Sequence, residues 1–390
     1  MDEPYKDREQ SAAKHQILRT YLQRLAYKVA QAPRRAMTIN YVDAFAGPWE
    51  SQLESLDDTS PAIALRTLLD VRASLLRTGV RIEVRAFFVS KTQEGVDQLQ
   101  RLAQRFPTAM VEIAKGTFEE ALPAAVRFAQ GGVEPFTFIF IDPTGWTGFS
   151  MRKIVPLLQV RPGEVLINFM LEFIRRFAHI EDASSSASIA DLFGDLDCRE
   201  EWRDAAGEER DDQLVAAYCR RVASAGAYEH CVSTPIFKRD EDREHFRLVY
   251  ATRSHMGLLT FREVEARGLL KQKEVRTVLK QEKRQHRSGQ GEMFSADVMS
   301  PKVTHEDRTR RRHLERALAA LESLLSERGD VSWDTLLLTA LQFPLVNEAD
   351  AKAWLEGQRR DGFVEVLGLE GRETKPKLGK GHRVRRRHVR

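Results

Sequence analysis

Short apolar runs alternate with amphipathic stretches along the first two-thirds of the chain, and their order predicts an α/β fold. In residues 13–30, Ile17, Tyr21, Leu25 and Val29 recur at helical spacing, so a helix leads into the first strand, Thr38–Val42. Ser60-Pro61 opens a helix that runs to Leu76, and the alternating then fully apolar run Arg81–Val89 is a second strand. Helices over 92–105 and Phe118–Ala129 flank a third strand at Met110–Ile113, and Phe136–Ile141 is the fourth. Ser150–Leu158 is a short helix and Glu164–Phe169 the fifth strand. A helical region to about Ser224 follows, with a serine-rich interruption at Ser184, Ser185, Ser186 and Ser188. Tyr228–Lys238 and Phe246–Thr252 flank the acidic turn Arg239-Asp240-Glu241-Asp242, which makes them a β-hairpin.

Five βα units closed by a hairpin predict a seven-stranded, mostly parallel sheet with one reversed strand. That is the class I methyltransferase-like, Rossmann-like arrangement; dehydrogenase sheets do not usually finish this way. Residues 288–307 hold Ser-Gly-Gln-Gly and little periodicity and read as a linker. Beyond it, His313–Leu325 carries Leu314, Leu318, Leu321 and Leu325 on one face, Ser332 caps a second helix, and Asn347 opens a third. Phe363–Leu367 is a strand after the Asp361-Gly362 turn. Three helices, a strand and a basic tail describe a winged helix-turn-helix domain whose third helix is the candidate reader of a major groove. The expected division is 1–287 for the Rossmann-like domain with its N-terminal helix, 288–307 linker, 308–370 winged helix and 371–390 disordered basic tail.

Two strands end in an aspartate, Asp43 and Asp142, and ligands of open α/β sheets bind beyond the carboxyl ends of the strands. After Asp43, the turn Ala44-Phe45-Ala46-Gly47 supplies small residues that let the backbone approach a cofactor closely. Asp43, Phe45, Ala46 and Gly47 are therefore candidate contacts for S-adenosylmethionine. Ser90 and Lys91 stand at the end of the second strand, where an acid would grip the ribose hydroxyls; Glu94 is an alternative acid. The motif Asp142-Pro143-Thr144-Gly145-Trp146 is the candidate reaction site. Asp142 would hold an exocyclic amine, Pro143 would shape the turn and Trp146 would stack on the base. Asn168, in the fifth strand, either satisfies a buried backbone group or borders the pocket. Arg175 and Arg176 could reach a phosphate or form a solvated face, and His15 reads as structural. Cys198, Cys219 and Cys231 lack metal-ligand or disulfide spacing, and no metal site, Walker loop or nucleophile elbow is present in the sequence.

Charge adds a partner. Of the 390 residues, those from Gly371 to Arg390 hold nine Lys/Arg against Glu373, a net of +8 within a chain total of +4. Arg267–Arg287 carries eight more basic residues against Glu274 and Glu282. Arg383, Arg385, Arg386, Arg387 and Arg390 are the candidate nucleic-acid contacts, to DNA or RNA. The charged amino terminus has no apolar signal core, and no run of about 20 apolar residues spans a membrane. A cytoplasmic protein with no membrane partner is expected.

The residues also resemble a family, the three-Cys-motif partner (TcmP) proteins of bacteria. The resemblance rests on Lys14-His15-x-Ile17-Leu18-x-x-Tyr21-Leu22, Tyr41-Val42-Asp43-Ala44-Phe45-Ala46-Gly47-Pro48 and Ser60-Pro61-Ala62-Ile63-Ala64-Leu65. It continues through Phe140-Ile141-Asp142-Pro143-x-Gly145-Trp146 and Phe246-x-Leu248-x-Tyr250-Ala251-Thr252-Arg253, covering roughly residues 13–270. It implies a methyltransferase-like fold, often with a winged-helix end, and a three-cysteine partner protein that looks like a radical-SAM enzyme. The chain departs from the family at Trp49, in place of a glycine, and at Ser90, in place of an acid; both fall in the cofactor half. Two readings follow: a methyltransferase acting on nucleic acid, favouring exocyclic amines, or a non-catalytic subunit that binds nucleic acid and a partner. A peptide or protein target is a third.

Overall fold

The computed structural model describes residues 9–31, 36–47, 56–143, 145, 149–178, 180, 182–195, 197–238, 243–270 and 303–387. The chain divides into two units, residues 1–254 with 268–279 and residues 255–267 with 280–390.

The first unit begins with α1 (Glu9–Ala30) and alternates β1 (Ala36–Asp43), α2 (Ser60–Arg77), β2 (Arg81–Ser90), α3 (Gln93–Gln104), β3 (Met110–Lys115), α4 (Phe118–Ala129) and β4 (Phe136–Ile141). It continues with α5 (Met151–Leu158), β5 (Gly163–Phe169), α6 (Leu171–Phe177), α7 (Ala183–Phe193) and α8 (Gly207–Gly226), then the hairpin β6 (His230–Phe237) and β7 (Glu244–Thr252). The strand order is β3-β2-β1-β4-β5-β7-β6, with β7 antiparallel to its neighbours and the rest parallel. That is the predicted seven-stranded, methyltransferase-like sheet. β5 is buried at every residue, as expected of a strand covered on both faces. Val42, Val89, Ile141, Ile167 and Phe169 join side chains of α4, α5, α7 and α8 in one apolar cluster. Helix starts follow local chemistry: Thr59, Thr92 and Thr117 each accept a backbone N–H at the start of α2, α3 and α4. The serine-rich stretch is no interruption. Asp182 accepts from Ser184 and Ser185 N–H, so the serines form the first turn of α7, where short polar side chains compete least with the helix. At the amino edge, Arg253 donates to the carbonyls of Leu158, Val160, Gly163, Gly226 and Ala227 and stacks 4.1 Å from the Tyr228 ring centroid.

The second unit differs from the expected division, because residues 255–267 of a helix, α9 (255–270), belong to it. The reason is Arg262, fully buried, which donates to the Leu341 and Gln342 carbonyls while Glu265 accepts from Leu345 N. Then come α10 (His305–Arg328), β8 (Asp330–Ser332), α11 (Trp333–Ala340), α12 (Glu348–Arg360), β9 (Val364–Leu367) and β10 (Arg383–Arg386). Ser332 and Asn347 cap α11 and α12 as predicted. The disordered tail is a correction. Residues 383–386 form the central strand of an antiparallel sheet, β8-β10-β9, and Val384 is buried at its middle. Asp330 and Glu365 on the flanking strands neutralise Arg383, Arg385 and Arg387, which lets a basic segment pair. Among the described residues no helix is long and apolar enough to cross a membrane.

Candidate active site at the carboxyl edge of the sheet

Side chains alternate faces along a strand, and this parity assembles the site. The Tyr41 ring lies 6.2 Å from Phe88 and 6.3 Å from Phe138, and Phe138 lies 5.8 Å from Tyr21 of α1. On β5, Glu164 accepts from the Tyr21 hydroxyl at 2.6 Å, so it shares that face. Continuing in steps of two toward the carboxyl ends, the same face presents Asp43, Ser90, Asp142 and Asn168.

Asp142 is held at both oxygens. Lys14 Nζ, from α1, donates to Oδ2 at 2.5 Å, and Asn168 Nδ2 donates to Oδ1 at 2.7 Å. Lys14 also stands 5.9 Å from the Phe246 ring centroid, so a cation is fixed beside the carboxylate by an ion pair and an aromatic face. The Asn168 amide is oriented by Asp142, since the reversed amide would set oxygen against oxygen. Its Oδ1 is then buried with no donor among the described residues.

Asp43 has no exposed surface. Its Oδ2 accepts from Ser60 Oγ at 2.9 Å and Tyr41 hydroxyl at 3.4 Å, and Oδ1 accepts from Phe45 N at 3.1 Å. Burial pushes its carboxyl up to about 7; the Ser60 hydrogen bond opposes the rise and the nearby Asp142 charge adds to it. Burial likewise raises Tyr41, helped by both carboxylates. The turn after Asp43 is tied down by Ala44 N to Phe140 O at 3.1 Å and Ala46 N to Val89 O at 2.8 Å. Gly47 sits at φ +74°, which favours glycine.

For the expected cofactor, this turn fits the amino-acid end: its residues are small and its backbone is fixed. The ribose end fits less well. The Ser90 hydroxyl is buried and donates to Gly47 O at 3.4 Å, while Lys91 and Glu94 are exposed. The Phe45 ring packs 5.5 Å from Phe118 and 6.2 Å from Phe149, which makes it part of the edge of the core. Pro143 is buried. Trp49, Trp146 and Arg390 lie outside the described residues.

Beyond Asn168, Glu172 gathers Lys238 at 2.7 Å, His245 Nδ1 at 2.8 Å, Arg176 at 3.3 Å and Arg243. Burial works against its ionisation, but the Lys238 and His245 hydrogen bonds and the charges of Lys238 and Arg243 hold the carboxyl down at about 2. Arg175 is occupied by Asp211 at 2.7 Å. Cys198 is no nucleophile, because burial pushes its thiol up to about 12.

Asp43 and Asp142 are marked in the sequence by their places at strand ends, whereas Lys14 and Ser60 carry no such mark as site residues. The signal for Lys14 was its place one helical turn before the buried Ile17 and Leu18, on the same helix whose Tyr21 reaches the sheet.

No family model matches the chain, and no curated protein matches its sequence. Among solved structures, the citrinin polyketide synthase CMeT domain is similar over 60% of this chain at 14% identity, with a TM-score of 0.30; the match spans about half, 52%, of that domain's chain. Loganic acid methyltransferase with SAH is similar over 72% of this chain and 91% of its own, at 11% identity and a TM-score of 0.31. A Legionella pneumophila protein is similar over 61% of this chain and 84% of its own, at 10% identity and a TM-score of 0.33. All three lie below a TM-score of 0.5, and the fold assignment rests on this chain's own strand order.

Proposed function

We propose that the chain is an S-adenosylmethionine-dependent methyltransferase that acts on an amino group of a nucleic-acid base and works with a three-cysteine partner of the kind the family resemblance implies. The observation that carries this reading is the pair of acceptors at the carboxyl edge. A carboxylate offers about four lone-pair sites, and Lys14 and Asn168 use one on each oxygen of Asp142. The buried Asn168 Oδ1 beside it lacks a donor among the described residues. Leaving a buried acceptor unpaired costs about 1–3 kcal/mol. A primary amine would satisfy both groups, giving one N–H to Asp142 and one to Asn168 and keeping its lone pair free. Bound against the 43–47 turn, S-adenosylmethionine would supply an electrophilic methyl group. Lys14 holds the Asp142 carboxylate in place, and Asp142 takes the proton that the methylated amine sheds.

The nucleic-acid part of the reading rests on the second unit. Its order of helix, strand, two helices and two strands supports a winged helix. The three acids of α12, Glu348, Asp350 and Glu356, are balanced by Lys352, Arg359 and Arg360, whereas β10 holds three arginines, which favours the strand over the third helix as the phosphate contact.

A second reading is supported by the other half of the site. With Asp43 sealed and Ser90 turned onto Gly47, the chain would be a non-catalytic subunit that binds nucleic acid and a partner.

Calorimetric titration with S-adenosylmethionine and S-adenosylhomocysteine, followed by labelled-methyl transfer to DNA and RNA, separates the two. Under the first reading, Asp142→Ala abolishes transfer and leaves cofactor affinity largely intact. Unchanged turnover in that variant would refute the role of Asp142. Cofactor silence at millimolar ligand, together with tight salt-dependent nucleic-acid binding, would establish the second.

A further inference from the structure

The second unit holds a cleft of about 690 Å³ that the chemistry at the sheet edge leaves unexplained. Ser326 and Gly329 at the end of α10, Asp330 of β8, Phe363 before β9, and Arg385, Arg386 and Arg387 line it. The volume falls within the roughly 300–1,000 Å³ of small-molecule and cofactor sites.

Its construction follows from strand parity. Arg386 pairs with Val364 and Arg385 with Glu365, and Arg387 N donates to Phe363 O at 2.8 Å. Phe363, Glu365, Arg385 and Arg387 therefore share one face of the β9–β10 ribbon, while Val384 and Arg386 share the other. Glu365 takes Arg385 at 3.8 Å and Arg387 at 3.5 Å, and Asp330 takes Arg383 at 2.8 Å and Arg385 at 3.1 Å. Arg386, at the end of the strand, lines the same cleft from the other face and has no ion pair among the described residues. Phe363 is 48% exposed at the rim, with no ring partner among the described residues. A single exposed aromatic is ordinary, but this one stands directly across the ribbon from Arg387, at the mouth of a cleft with an unpaired arginine.

We propose that this cleft binds single-stranded nucleic acid, with one unpaired base stacked on Phe363 and the flanking phosphates on Arg386 and Arg387. The proposal rests on the nucleic-acid reading above and deepens it by naming the strand state and the base contact. An aromatic face accepts any base, and arginine contacts follow the backbone, so the site tolerates many sequences. A duplex keeps its bases inside the stack and gives Phe363 nothing to cover. Asp330, kept ionised by Arg383 and Arg385, adds an acceptor that a base amino group can reach.

The test uses the full chain and fluorescence anisotropy with labelled oligothymidylate, labelled oligouridylate and a labelled duplex. Phe363→Ala should weaken both single strands by about 5- to 150-fold and leave the duplex unchanged, while Phe363→Trp retains or strengthens binding. The ratio of oligothymidylate to oligouridylate affinity separates DNA from RNA. Arg386→Gln should reduce the slope of log affinity against log salt by about 0.7 per lost contact on single strands. Single-strand binding that Phe363→Ala leaves intact would overturn the stacking site while sparing the nucleic-acid reading. Failure of all three probes at low salt would overturn both.

Discussion

Replacing Asp43 by Asn tests the central electrostatic feature of the site. Asp43 is wholly buried and its carboxyl is pushed up to about 7, against an ordinary value of 3.8. Between those values the folded protein binds a proton that the unfolded chain has released, so stability falls as pH rises from about 4 to about 7. The gap of roughly three units, at 1.36 kcal/mol each, amounts to a penalty of about 4 kcal/mol above pH 7 as an upper bound. An asparagine carries no charge at any pH; its carbonyl oxygen still accepts from Phe45 N, and the amide nitrogen that replaces Oδ2 donates to Ser60 Oγ, which turns to accept. Asp43→Asn should therefore gain stability relative to the native chain as pH rises, reaching about 2–4 kcal/mol above pH 7. The assay is urea unfolding of both proteins at closely spaced pH values, at constant ionic strength, followed by hydrogen exchange of amides in β1 and β4. Exchange reports the first unit separately from the second. The stability difference should grow steadily from about pH 4 and level off above about pH 7. A difference independent of pH over this range would refute the argument, since burial would then not have shifted the carboxyl. The same proton matters for ligands: a cationic group that contacts Asp43 should bind more tightly above pH 7.

Further outcomes follow from other contacts. Glu172→Gln should cost about 1–3 kcal/mol at pH 7 once screening around its exposed partners is counted. That loss should vanish as pH falls from about 4.5 to about 2, because a lowered carboxyl contributes only while ionised; stability curves of the two proteins should converge there. Arg253→Met leaves the carbonyls of Leu158, Val160, Gly163, Gly226 and Ala227 short of a donor, and a loss of about 2–4 kcal/mol should appear in urea unfolding. Val384→Asp places a charge at the buried centre of β10 and should remove hydrogen-exchange protection from α10–α12 while α2–α5 keep theirs. Gly132→Ala, at φ +102° and with its new Cβ 2.5 Å from Thr38 Oγ1, should cost about 1–3 kcal/mol, read as a lower midpoint in urea.

The sheet was legible because each central strand is a run of apolar residues ending at a turn. Phe136–Ile141 and Phe118–Ala129 matched to the residue, since a proline, paired glycines or a capping threonine marks their limits. β10 was illegible for a physical reason. Arg-Val-Arg-Arg contains one apolar residue, and only the acids of β8 and β9, which lie 53 and 20 residues or so earlier, make it a strand. α9 was hidden similarly, because the burial of Arg262 and Glu265 depends on a turn about eighty residues later. At the site, Asp43 and Asp142 declared themselves by position at strand ends. Lys14 did not, because a lysine in an amphipathic helix normally faces water, and its partner is 128 residues away.

That same helix has a consequence for how the protein is made. Tyr21 of α1 closes against Glu164 and Tyr250, 143 and 229 residues later, and Lys14 against Asp142. At a synthesis rate of about 5–20 residues per second, α1 leaves the ribosome about 10–50 s before β7 exists. During that interval its apolar stripe of Ile17, Leu18, Leu22 and Leu25 has only part of its final shelter. A helix made well before β7 is thus among the last to be locked, and nascent chains halted before residue 250 should recruit chaperones at α1.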